Sequence, residues 1–116
     1  MKNGIYEENG VSYWYKDDVL HREDGPAITW ESGTKEWYEN GNLHRLDGPA
    51  VEHANGSTSW WAGGKLHRLD GPAVEGANGT KTWWVDGKEV DVLAIFSYEP
   101  PVPLTEEEQM VLRLMA

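Results

Sequence analysis

The residues of this chain with the most chemical potential are three His-Arg pairs: His21-Arg22, His44-Arg45 and His67-Arg68. Each pair stands 23 residues from the next, and each arginine is followed two positions later by an aspartate: Asp24, Asp47 and Asp70. Imidazole can move protons or ligate metals, and guanidinium grips carboxylates and phosphates through a planar fork of donors. Two readings follow. In one, each arginine pairs with a nearby aspartate and each histidine bonds loop backbone, so the cluster holds a connection shut. In the other, the pairs form a row along one sheet edge, centred on His44, Arg45, His67 and Arg68, that grips an anion or an acidic partner. A shared metal fits neither. Neighbouring copies would lie two strand spacings apart, roughly 10 Å, whereas zinc ligands converge at about 2 Å from the ion. A kinase-type loop is also excluded, because it needs the aspartate directly after the arginine.

Other chemistry is weakly provided for. The chain has 0 Cys and 20 acidic residues. The acids mostly alternate with apolar residues or flank turns, as on a solvated face, and no Ser-His-Asp ordering or phosphate loop stands out. No catalytic residue, metal or cofactor is assigned, and the expectation is a protein that is not an enzyme.

The second candidate site is a row of aromatics: Tyr15, Tyr38, Trp61 and Trp84. Each directly follows a member of a stricter row, Trp14, Trp37, Trp60 and Trp83, again at a spacing of 23 residues. A fixed period of this size marks a repeat architecture in which each copy buries its apolar face against the next. The same period carries Ile5, Ile28, Val51 and Val74, and the glycines Gly10, Gly33, Gly56 and Gly79. Asn55-Gly56 lies between two half-apolar runs, and Asn78-Gly79 and Asn9-Gly10 repeat the pattern, with Ser32-Gly33 as a weaker version. This is a strong hairpin signal, because a two-residue type I′ turn needs positive φ at both positions. A two-residue loop sets Ala54 opposite Ser57, His53 opposite Thr58, Val51 opposite Trp60 and Ala50 opposite Trp61. Side chains alternate across a strand. The strict tryptophan row is therefore expected on the more buried face, over the β-branched residues. The Tyr/Trp row is expected on the more exposed face, as a protein-binding surface or stacking platform unless a helix covers it.

Between hairpins, Asn40-Gly41 closes a strand, Asp-Gly-Pro punctuates the loop, and Leu20, Leu43 and Leu66 plug beneath it. Proline restricts the residue before it to extended forms. The predicted fold is mainly β: a single-layer twisted antiparallel sheet of about four stacked 23-residue β-hairpin repeats, with a short C-terminal helix. The boundaries are 1–91 for the repeat region and 92–116 for an extension. Gly87-Lys88-Glu89-Val90 departs from the repeat, as terminal units do. In the extension, Val92 to Phe96 is apolar and ambiguous between strand and helix. Pro100-Pro101-Val102-Pro103 is a stiff connector, and Thr105-Glu106-Glu107-Glu108 is a capping box for a helix to about Leu114.

Composition narrows the class further. The chain has 116 residues, 39% hydrophobic, with 7 Trp, 5 Tyr and 1 Phe. That suits a thin sheet bearing large rings and one domain. The formal net charge of -10 disfavours unaided binding of nucleic acid or of a bare anionic membrane, and suits a basic protein partner or simple solubility. No apolar leader or membrane span is apparent, so a cytoplasmic location is expected.

The copies His21-Arg22-Glu23-Asp24-Gly25-Pro26-Ala27, His44-Arg45-Leu46-Asp47-Gly48-Pro49-Ala50 and His67-Arg68-Leu69-Asp70-Gly71-Pro72-Ala73 resemble the MORN-like hairpin repeats. The variety they resemble is the His-Arg-x-Asp-Gly-Pro-Ala type of phage and large-virus proteins, akin to the YwqK-like group. The resemblance spans about residues 5 to 90. It implies a scaffold for binding, a phage or viral origin with action in the host cytoplasm, and a non-catalytic role such as inhibiting a host defence protein. The alternative is a sponge that stacks a nucleotide signal on Trp61 or Trp84 with Arg45 or Arg68 on the phosphate. Self-association through sheet edges or the C-terminal helix is compatible with either.

Overall fold

The computed structural model describes residues 1–91; the expected C-terminal helix, connector and apolar segment all lie outside the described residues. Within them the chain is β throughout, antiparallel at every pairing, with no helix.

The chain opens with the longest hairpin. β1 (Gly4–Glu8) and β2 (Val11–Lys16) pair around Asn9-Gly10, with Ile5 opposite Trp14 and Glu8 opposite Val11. Both loop residues have positive φ, 53° at Asn9 and 79° at Gly10. This is the two-residue turn the sequence predicts.

The corresponding hairpins further along are one residue out of the predicted register. β4 (Ile28–Thr29) pairs with β5 (Lys35–Glu36), β8 (Val51–Glu52) with β9 (Thr58–Ser59), and β12 (Val74–Glu75) with β13 (Lys81–Val85). Val51 therefore faces Ser59, not Trp60, and Glu52 faces Thr58. The cause is local. The His53 N–H donates to Ser57 O at 2.8 Å and the Gly56 N–H to His53 O at 3.0 Å, which encloses a loop of Ala54, Asn55 and Gly56. Gly56 has φ of 93°, while Asn55 is not among the positive-φ residues. Its side chain instead accepts the Ser57 N–H at 2.9 Å, the Asx arrangement that competes with the left-handed conformation. Asn78 does the same with the Thr80 N–H at 3.0 Å.

Two-residue turns recur at the other end of the sheet. β2 turns through Asp17-Asp18 into β3 (Val19–Leu20). β6 (Tyr38–Glu39) turns through Asn40-Gly41 into β7 (Asn42–Leu43), and β10 (Trp61–Ala62) through Gly63-Gly64 into β11 (Lys65–Leu66). β13 turns through Asp86-Gly87 into β14 (Lys88–Val90). Both loop residues have positive φ in all of these turns.

The main sheet is ordered β1-β2-β4-β5-β8-β9-β12-β13-β14, with β3 on β2; β6-β7 and β10-β11 form separate ladders. Backbone bonds join them. Trp37 N–H donates to Ala50 O at 2.7 Å, and Trp37 O accepts the His44 N–H at 3.0 Å, so the strand runs on through the tryptophan from β5 to β6. The partner strand is split in two by the excursion from His44 to Ala50. The same split follows β3 and β11.

The core is thin and lies at these splits. Ala27, Ala50 and Ala73 are fully buried, and Ile28 and Val51 nearly so. Neither aromatic row is buried. All eight aromatic residues are partly exposed. The small alanines, expected to leave the second row standing proud, are themselves the buried residues.

Candidate functional site

The His-Arg-x-Asp-Gly-Pro excursions fold as arginine staples. The Arg22 guanidinium lies over the Trp14 ring at 4.2 Å from its centroid, Arg45 over Trp37 at 4.0 Å and Arg68 over Trp60 at 4.0 Å. In each, Nε donates to the aspartate two residues on, at 2.9 Å for Asp24, 3.1 Å for Asp47 and 2.7 Å for Asp70. Nη1 donates to the carbonyl of Pro26, Pro49 or Pro72, at 3.1 to 3.2 Å. Arg45 Nη1 also reaches Glu52 Oε2 at 2.8 Å. The glycine completes the staple. A Cβ on Gly48 would stand 2.6 Å from Arg45 Cζ, and one on Gly25 or Gly71 would meet its arginine at 2.8 Å. Each guanidinium is therefore held by the indole ring, a carboxylate, a main-chain oxygen and a bare Cα. Cation–π stacking and charge-assisted hydrogen bonds are strongest in such partly desolvated settings.

The histidines reach further than their own loops. His21 Nδ1 accepts the Asn40 N–H at 3.0 Å, His44 Nδ1 accepts the Gly63 N–H at 2.9 Å, and His67 Nδ1 accepts the Asp86 N–H at 3.0 Å. Each donor sits 19 residues on, in the next two-residue turn. An acceptor Nδ1 places the ring proton on Nε2, and His44 Nε2 lies 3.2 Å from Glu39 Oε2. Arg22, Arg45 and Arg68 add main-chain donations to Tyr38 O, Trp61 O and Trp84 O at 3.0 to 3.2 Å. His44, Arg45, His67 and Arg68 thus bind successive hairpins to one another.

The Tyr/Trp row is partly spoken for as well. Tyr38 Oη donates to Glu36 Oε1 at 3.0 Å, Trp61 Nε1 to Ser59 Oγ at 2.8 Å and Trp84 Nε1 to Thr82 Oγ1 at 2.9 Å. In each case the polar tip meets the side chain two residues earlier. Tyr15 differs: Tyr13 stacks beside it at 6.3 Å, Tyr6 meets it edge-on at 5.7 Å, and Lys2 Nζ lies 5.0 Å from its centroid. Tyr38, Trp61 and Trp84 remain partly exposed.

Electrostatics follow the same contacts. Burial first, then the hydrogen bond and the negative charge of Glu36, push the Tyr38 phenol up to about 12. Glu36 also accepts the Trp30 indole N–H. The Arg22 guanidinium, by hydrogen bond and by charge, holds the exposed Asp24 carboxyl below its usual range.

A groove of about 580 Å³ opens between the first two staples. Its walls are Arg22 to Gly25 on one side and Trp37, Glu39, His44 and Arg45 to Asp47 on the other. Leu46 stands in it at 78% exposure. The sequence reading missed Leu46, Glu39 and Trp37 as members of one site. The signal was present: an exposed-looking Leu at the position where the first copy carries Glu23. Among the described residues no His, Cys, Asp and Glu cluster is arranged to hold a metal ion. Also among them, no helix is long and apolar enough to cross a membrane. Compared with family models, curated proteins and solved structures, the chain matches none.

Proposed function

We propose that this protein is a non-catalytic binding module that takes a protein partner. In full, the reading is a stack of four 23-residue hairpin units ending in a helix. Its partner, following the resemblance to the MORN-like and YwqK-like repeats, is a host defence protein inhibited by a phage-encoded chain. The observation that carries the binding role is the groove between the first two staples. Its carboxylates Glu23, Asp24, Glu39 and Asp47 outnumber its guanidiniums, and both guanidiniums already have carboxylate partners. Leu46 and Trp37 offer apolar surface in its wall. Such a site suits a Lys or Arg side chain from a basic partner, stem on the apolar surface and head among the carboxylates. The net charge of -10 favours the same encounter.

The nucleotide sponge is less well supported. Arg45 and Arg68 would have to leave Asp47 and Asp70 to take a phosphate. A tagged chain in host lysate tests the reading. One protein is expected to co-purify, to bind again when purified, and to lose at least tenfold affinity (about 1.4 kcal/mol) against Leu46→Glu. Heat release from nucleotides in calorimetry, with no loss in Leu46→Glu, would favour the sponge.

A further inference from the structure

Strand β1 ends the sheet, and among the described residues β2 is its only strand partner. Five residues long, it is one of the longer strands, and Ile5 to Glu8 are all exposed, with Ile5 at 48% and Tyr6 at 41%. Its hydrogen-bond phase can be read from the turn. Residues flanking a two-residue hairpin loop exchange main-chain bonds, and such pairs alternate along the ladder. Glu8, Tyr6 and Gly4 therefore bond to Val11, Tyr13 and Tyr15. Ile5 and Glu7 turn their N–H and C=O groups to the open side. An edge of this length, its outward main chain unpaired among the described residues, is a template for another strand.

Its charge says which strand. Glu7 and Glu8 lie at the end of β1, and the Glu31 carboxylate sits about 3.1 Å from where a Cβ would stand on Gly10, beside the same turn. The cation at the start of the strand, Lys2, lies over the Tyr6 and Tyr15 rings at 5.7 and 5.0 Å. A second copy would bring another net charge of -10 and another Glu7 and Glu8 to the edge. We infer that β1 is a docking edge for an extended segment of a partner protein, with Lys or Arg opposite Glu7 and an apolar residue opposite Ile5. Two main-chain groups of Ile5 and two of Glu7 supply the hydrogen bonds. This rests on the reading of the chain as a protein-binding module but uses a strand that contributes no residue to the lining of the staple groove.

The test is amide exchange on the labelled full chain, with Thr-Lys-Thr-Val-Thr-Lys-Thr (the Lys-Val peptide) and Thr-Glu-Thr-Val-Thr-Glu-Thr (the Glu-Val peptide) as probes, which set Lys or Glu opposite Glu7 when Val lies opposite Ile5. In the free protein the Ile5 and Glu7 amides are expected to exchange fast and those of Tyr6 and Glu8 slowly. The Lys-Val peptide is expected to slow Ile5 and Glu7 by roughly tenfold or more, and the Glu-Val peptide to leave them unchanged. Ile5→Pro removes one outward donor while leaving the donors of its neighbours' β2 ladder bonds in place, and should abolish the protection of Glu7, the outward amide that remains. The double variant Glu7→Lys with Glu8→Lys, which keeps every main-chain group, should reverse the peptide preference. Slow exchange at Ile5 and Glu7 in the free chain, or Lys-Val protection that survives Ile5→Pro or the charge reversal, overturns the inference. Target capture that is lost in Leu46→Glu but intact in Ile5→Pro would leave the binding-module reading standing and remove this one.

Discussion

The guanidinium of Arg45 lies 4.0 Å from the centroid of the Trp37 ring, eight residues earlier in the chain. Between them the chain makes a two-residue turn and comes back. The contact closes that hairpin, while Asp47, Glu52 and the Pro49 carbonyl accept hydrogen bonds from the guanidinium. Arg45→Ala should cost about 2 kcal/mol, from a stacked cation and charge-assisted bonds at a partly buried site. Arg45→Lys should recover less than half of that, because an ammonium offers neither a plane nor a fork. Urea denaturation of the two variants measures both.

Gly48 separates sterics from backbone conformation. It is not among the positive-φ glycines, yet a Cβ there would lie 2.6 Å from Arg45 Cζ. Gly48→Ala should destabilise by about 1–3 kcal/mol, as overpacking does. In an Arg45→Ala background most of that penalty should vanish, a coupling that a double-mutant cycle reads directly. At Gly56 nothing lies within 4 Å, but φ is 93°. Gly56→Ala should cost about 1 kcal/mol whether or not Arg45 is present.

His44 should sit in a single tautomer. Its Nδ1 accepts from Gly63 at 2.9 Å and its Nε2 faces Glu39 at 3.2 Å, so the proton belongs on Nε2. Long-range nitrogen–proton spectra should show Nε2–H for His21, His44 and His67. A signal pattern of the opposite tautomer would mean that these bonds do not form in solution. His44→Ala should cost about 1 kcal/mol, the usual net worth of one hydrogen bond.

Tyr38 makes the fold sensitive to alkali. Its phenol is raised from the model-compound value of 10.0 to about 12 in the folded chain. The neutral form is the one the fold favours. Its contribution is complete below the unfolded value and is lost as pH rises through about 12. The ultraviolet difference spectrum between the parent and Tyr38→Phe should show a phenolate transition near 12, and the two stability curves should converge above it. A transition near 10 would mean that neither burial nor Glu36 holds the phenol neutral in solution.

The sequence by itself determined the repeat. Trp14, Trp37 and Trp60 and their arginines stand at one spacing, so equal local chemistry recurs in equal surroundings. It also determined that glycine, asparagine and aspartate would mark the turns, and that the described chain would be an antiparallel sheet. Tertiary structure added to the local chemistry in deciding which turn took which form, since the Ala54 N–H of the three-residue loop donates to Thr34 Oγ1 of the preceding hairpin at 3.1 Å. Asn-Gly permits both the two-residue turn at Asn9-Gly10 and the three-residue loop that ends at Gly56. The choice depends on whether the side-chain oxygen of Asn55 finds the Ser57 N–H, and that moves Val51 from Trp60 to Ser59. It also decided where the histidines bind. Spacing places His44 in a loop, but only the stacking of hairpins brings the Gly63 N–H, 19 residues on, within reach of its Nδ1. Local residue types fix conformational preference, whereas contacts between hairpins arise only once the copies lie side by side.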